Sequence, residues 1–235
     1  MSTNQYFVIT KDKIEQYLSE LGKLLNKKKA RGFHSEIIIV GGASILLNYG
    51  FRFNSADIDC SDKGGILMND VINEIAIKYH LPSNWINTDF VHTKSYSNKL
   101  DLYSQFYKTY GYGTLDVRTI KDEYLIAMKV VSARKYKNDY SDIYGIINEC
   151  RNNNKNITYE MITTALVNLY GTTDVADKNA LSFTKRIIEN PSELTYLNIR
   201  EKENETAVTI KNLKEDKNIK SEDIEHILSK LESCD

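Results

Sequence analysis

The sequence predicts an α+β fold, a small mixed sheet with flanking helices followed by a helical C-terminal region. Three observations predict it. Nine of the 11 glycines lie before residue 114, so turns crowd the first half of the chain. Within that half, short β-branched or alternating segments take turns with amphipathic ones. Beyond residue 120 apolar residues recur at helical spacing, as in Ile143, Ile146 and Ile147, and only Gly145, Gly171 and Pro191 punctuate them. A chain of 235 residues can hold one large domain or a domain with an appendage. We divide it into a sheet-bearing core over 1–120 and a helical region over 121–235 that completes the site.

Taken in order, Lys11 to Lys29 is a helix with Ile14, Leu18, Leu21, Leu24 and Leu25 on one face. The basic stretch Lys27-Lys28-Lys29-Ala30-Arg31 then suits a solvated helix end, with RNA contact as the alternative. Ile37-Ile38-Ile39-Val40 is a β-branched run suited to a strand buried on both faces. A short helix, Ala43 to Tyr49, follows at once. Ala56 to Cys60 is a strand with acidic alternate side chains, Lys63-Gly64-Gly65 a turn, and Leu67 to Tyr79 a helix. Leu100–Phe106 and Thr114–Ile120 are strands around the turn Gly111-Tyr112-Gly113. Helices are expected over 121–135, 139–151, 158–171, 178–190, 196–213 and 220–233.

Composition narrows the function classes. With 41% apolar and 27% charged residues and only 2 Pro, the chain is globular and not disordered. No apolar run approaches the roughly 20 residues that span a bilayer, and the N-terminus lacks a basic and apolar leader pattern. A cytoplasmic protein with no membrane partner is expected. Cys60, Cys150 and Cys234 are scattered, and none stands at zinc-ligand spacing to His34, His80, His92 or His226, which argues against a disulfide framework or a zinc site. The net charge of -1 hides a gradient, -4 over residues 201–235 against +3 over 1–200, and that asymmetry is too mild to argue nucleic-acid binding by itself.

Chemistry is concentrated in one stretch. Gly41 and Gly42 leave a buried strand and enter a helix without a loop, where backbone N–H groups can approach a phosphate. A merely tight strand-to-helix turn would also use two glycines. Asp57 and Asp59 flank Ile58, and on a strand residues i and i+2 project to one face about 7 Å apart, so both carboxylates can converge on a hard cation. A solvated edge strand is the bland alternative, although Asp is depleted in strands.

Ile38 to Ser44, Tyr49-Gly50-Phe51-Arg52 and Ser55 to Asp59 together resemble the glycine-pair and DxD signature of the nucleotidyltransferase superfamily that includes DNA polymerase beta. Leu125-Ile126-Ala127-Met128-Lys129, Ala133-Arg134 and Lys137 to Ile143 are similar to a block of bacterial nucleotidyltransferase-like proteins allied to the abortive-infection type IV toxins. Leu81 to Asn87 resembles a segment of one branch of that group. The resemblance covers roughly residues 35–150.

It implies a nucleotidyltransferase core in which Gly41, Gly42 and Ser44 hold an NTP such as ATP, and Asp57 and Asp59 bind Mg²⁺ or Mn²⁺ for in-line transfer. It further implies that Lys129 contacts the triphosphate and that Asp139 or Asp142 completes the site. The acceptor would be an RNA, such as tRNA, or a protein hydroxyl, and the setting a toxin-antitoxin or phage-defence pair with an antitoxin partner. A non-catalytic nucleotide- or RNA-binding module of the same fold is the alternative. Read from the residues alone, Lys129 suits a lysine snorkelling from a helix, and Asp139 and Asp142 suit capping and first-turn carboxylates. Asp116 is the candidate for a third carboxylate or a surface residue.

Overall fold

The computed structural model describes residues 8–29, 33–62 and 65–215. The helix expected over 220–233 lies outside them. The first half comprises α1 (Lys11–Lys28), β1 (Ser35–Ile39), α2 (Gly41–Asn48), β2 (Ile58–Asp62), α3 (Gly65–Tyr79), β3 (Ile86–Asn87), β4 (Ser104–Tyr110) and β5 (Leu115–Ile120). The second comprises α4 (Asp122–Ser132), α5 (Asp139–Asn152), α6 (Tyr159–Tyr170), α7 (Lys178–Glu189) and α8 (Tyr196–Glu215).

The β-branched run forms the centre of a five-stranded mixed sheet of order β3-β2-β1-β5-β4. β1 runs antiparallel to β2 and parallel to β5, and β4 closes an antiparallel hairpin on β5. Side chains alternate across a strand, so β1 supplies two cores. Ile37 and Ile39 pack with Ile14, Leu18 and Leu21 of α1 and Val71 of α3. Ile38 and Val40 pack with Leu125 and Ile126 of α4, Ile143 of α5 and Leu166 of α6. The sheet is thus sandwiched between two helical layers, and one continuous core crosses residue 120. Among the described residues no helix is long and apolar enough to cross a membrane.

Among the boundaries that differ from expectation, three have a clear local reason. Leu100–Tyr103 is a 3₁₀ turn, and β4 starts at Ser104. Leu100 is buried while Leu102 is 70% exposed, and the Ser104 hydroxyl donates to the Asp101 carbonyl, which closes the turn instead of extending a strand. β2 begins at Ile58 because Ser55 is already bridged to Ile9 through both backbone N–H groups, at 2.8 and 2.9 Å. Asp57 therefore falls in the bend ahead of the strand. Finally, α2 starts at Gly41, so both glycines form its first turn. The short strand β3 arises in the Leu81 to Asn87 segment, where fully buried Trp85 donates its indole N–H to the Ile72 carbonyl and accepts from the Ile58 N–H.

Helix α1 meets the β4–β5 turn through two glycines. A Cβ at Gly22 would lie 2.6 Å from the Tyr110 Cβ and 2.8 Å from the Gly111 nitrogen, and Gly111 itself has φ of 62°. Backbone cannot yield as a flexible side chain can. Gly22→Ala, ordinarily a favourable exchange in a helix, is expected to cost about 1–3 kcal/mol in denaturant unfolding. A neutral or stabilising result would show that the contact is loose.

Candidate active site

Strand β1 delivers the chain directly into α2, whose N-cap residue, Val40, offers no side-chain acceptor. The first N–H groups of that helix are consequently the polar end of the site. Gly41 has φ of 60° and lies under Asp59: a Cβ there would stand 3.2 Å from the Asp59 Oδ2. β2 is fastened at the same point, since the Val40 N–H donates to the Asp59 carbonyl at 2.9 Å. The glycine turn and the DxD segment are thus adjoining parts of one site.

Ile58 is fully buried in the core beneath α1 and α3, and Asp57 and Asp59 flank it, both half-buried. Burial and the charge of Asp57 push the Asp59 carboxyl up to about 6, although Lys129 and Arg134 pull the other way. Asp57 accepts from the Asn87 amide at 3.4 Å. These are two hard oxygen donors, one of them strained by its neighbour's charge, and they suit a hard cation that draws its remaining ligands from phosphate and water. Among the described residues no group of three or more His, Cys, Asp or Glu side chains forms a metal site.

Behind Asp59 lies a buried charge network. Lys129, 7% exposed, pairs with Asp139 at 2.9 Å and Asp142 at 2.7 Å. Arg52 forks onto both oxygens of Asp142 at 3.0 and 2.8 Å, and Arg134 binds Asp139 through its backbone N–H and Nε at 3.0 and 2.9 Å. A left-handed turn at Ala133, φ 46°, ends α4 and brings Arg134 round to α5. Burial opposes the Lys129 charge, yet Asp139 and Asp142 hold its pKa above the ordinary value. Burial likewise opposes the Asp139 charge, and Lys129 with Arg134 holds that carboxyl well below the usual range. The solvated lysine and the capping aspartate expected from sequence are therefore corrected: Lys129 is buried, and the N-cap of α5 is Asn138, which makes no side-chain capping bond. A helix-terminal charge stays in water only where nothing covers it, and here Arg52 and Arg134 close over the pair.

The segment after α2 is clamped residue by residue to the helical layer. The Tyr49 hydroxyl donates to Asp122, the Gly50 N–H to Glu149, and Arg52 to Asp142. Phe51 lies on α5 where Gly145 leaves room, since a Cβ there would come within 2.4 Å of its ring. Arg52 also covers the α2 N-terminus: a Cβ at Gly42 would stand 2.6 Å from its Nη2. Arg52 and Arg134 are the site residues that sequence reasoning passed over, and the signal for the first was its place between the glycine pair and the DxD.

Two expected members stand apart. Asp116 pairs with Glu36 on β1 and binds Thr109 and His34, whereas Asp59 adjoins Val40, four residues further on and just past the end of β1. At about 3.3 Å per residue the two carboxylates sit at opposite ends of the sheet. Ser44 is fully buried and its hydroxyl has no hydrogen-bond partner among the described residues. Ser44→Ala removes an unsatisfied buried group, so its stability should hold or rise by about 1 kcal/mol in thermal unfolding. A parallel loss of NTP affinity would show that ligand binding moves α2 and uses the hydroxyl.

Comparison with known proteins agrees with this arrangement. No curated protein and no solved structure matches the chain. One family model, described as a nucleotidyltransferase of unknown function (DUF6036), matches residues 13–159, from α1 to the start of α6. That span contains the sheet, the glycine turn, the DxD and both helices of the charge network, so the chain belongs to this nucleotidyltransferase-like family of unknown function.

Proposed function

We propose that the chain transfers a nucleoside monophosphate from an NTP to a hydroxyl of an RNA, such as tRNA, or of a protein. The observation that carries this reading is the Asp59 carboxylate set over Gly41 at the uncapped start of α2, with Asp57 beside it. A phosphate binder and a pair of cation ligands are then adjoining groups, which is what phosphoryl transfer requires.

In this reading the N–H groups of Gly41 and Gly42 hold the triphosphate, and Asp57 and Asp59 hold Mg²⁺ or Mn²⁺. When bound, the cation offsets charge on the phosphate oxygens. Lys129 gives two of its three donors to Asp139 and Asp142, and with Arg52 and Arg134 set against those two carboxylates the network leaves a net positive charge behind Asp59. The acceptor oxygen bonds to the α-phosphorus as the bond to pyrophosphate breaks, and the hydroxyl proton leaves to solvent. A toxin setting with an antitoxin partner is proposed from the likeness of the block over 125–143 to the toxin-allied proteins.

Incubating the protein with each NTP labelled on the α-phosphate, Mg²⁺ or Mn²⁺, and total RNA or lysate tests the reading. Label should pass to one macromolecular fraction, and γ-phosphate label should not. Absence of α-label transfer from every NTP with either cation would overturn it.

A further inference from the structure

A cavity of about 460 Å³ opens at the β3 edge of the sheet. β3 pairs with β2 only at Ile58 with Ile86 and Asp59 with Asn87, so the edge strand stops and leaves a hollow beside the second half of β2. Ile72, Ile86 and Val91 give it apolar walls, while Ser61, Asn69 and Thr88 give it two hydroxyls and an amide. Among the described residues no hydrogen bond engages these three polar side chains. Tyr96 stands at its side, its ring held edge-on by Phe90 at 5.5 Å.

Two features decide what such a cavity holds. Among the described residues no Asp, Glu, Lys, Arg or His lines it, so they offer no partner to a phosphate, carboxylate or ammonium. A planar, uncharged heterocycle with donors and acceptors on its edge and apolar faces matches both walls, and an aromatic ring beside it offers stacking. The position is equally informative. Asn87 lines the cavity and also donates to Asp57, with its carbonyl oxygen fixed by the Asp89 N–H at 2.8 Å. One rigid side chain thus joins the hollow to the DxD.

We propose that this cavity binds a nucleobase, either that of the NTP or one of a nucleotide acceptor, next to the Asp57 carboxylate. The use made of the bound base rests on the transferase reading above, whereas the binding itself does not.

The test uses the full chain and the four ribonucleosides, which carry no phosphate, in the absence of divalent cation. At least one should bind by calorimetry or ligand-observed NMR. Asn69→Leu and Tyr96→Ala, both at exposed positions, should each weaken it by about tenfold, from a lost hydrogen bond or a lost stack. Failure of all four nucleosides to bind, or equal affinity in folded wild type, Asn69→Leu and Tyr96→Ala proteins, would overturn the proposal. Competition identifies the source: displacement of the nucleoside by Mg²⁺-NTP assigns the cavity to the NTP base, and simultaneous binding assigns it to the acceptor. Nucleoside binding without nucleotidyl transfer would leave the cavity standing and remove the transferase reading.

Discussion

On the transferase reading proposed above, replacing Asp57 or Asp59 by Asn is expected to lower nucleotidyl transfer by at least about 10²–10³-fold, since each would remove a charged group facing the transition state. The fold should survive, and for Asp59→Asn it should improve. The Asp59 carboxyl is pushed from 3.8 to about 6 by burial and by Asp57. A folded-state value above the unfolded one means that the native protein holds the proton more tightly, so stability falls as pH rises from 3.8 through about 6. The deficit is complete above that window. Asn carries no charge at any pH and avoids it. Denaturant unfolding without divalent cation should therefore show Asp59→Asn more stable than wild type by on the order of 1 kcal/mol at pH 7.5, after discounting for solvent screening, and equal to it near pH 3.5. A variant that is less stable at pH 7.5 would mean that the two carboxylates do not repel in the native state. Full activity in either variant would remove the DxD from the site.

The second large effect lies in stability. Asp139→Ala leaves Lys129 buried with one carboxylate in place of two and strips Arg134 of its partner. Breaking a buried pair costs about 3–5 kcal/mol, because the remaining charge is neither solvated nor paired. A simple N-cap would cost about 1 kcal/mol, so urea unfolding separates the two roles. The pH dependence has the opposite sign to that of Asp59. Lys129 and Arg134 hold the Asp139 carboxyl below its usual range, so its contribution is present in full above the ordinary carboxylate value and is lost as pH falls through the lower folded value. The gap between wild type and Asp139→Ala should consequently be widest at neutral pH and narrow in acid. A gap of about 1 kcal/mol, independent of pH, would return Asp139 to a capping role. Asp142→Ala should be comparably costly, because it frees both Lys129 and Arg52.

Much of this molecule was legible in the residues. Ile37 to Val40 announced a strand covered on both faces, since a run with no polar position has no face for water. Ile14, Leu18 and Leu21 set the face of α1, and the glycine pair and DxD lay close enough in sequence for local geometry to bring them together. What sequence determined by itself was therefore the local and periodic part: elements, faces and the Gly41 to Asp59 nucleus. Only the tertiary structure decided the partners of charge. Lys129 and Asp139 look like surface residues at helix ends, and their burial depends on Arg52, 77 positions before Lys129, closing over them together with Arg134. Asp116 shows the converse, for its strand was predicted but its distance from Asp59 follows from register against β1. The cavity beside Asn87 likewise exists because β3 stops after two residues. Periodicity reports which way a side chain points, whereas the dielectric and the neighbours it meets are set by what packs above it, and those belong to distant parts of the chain.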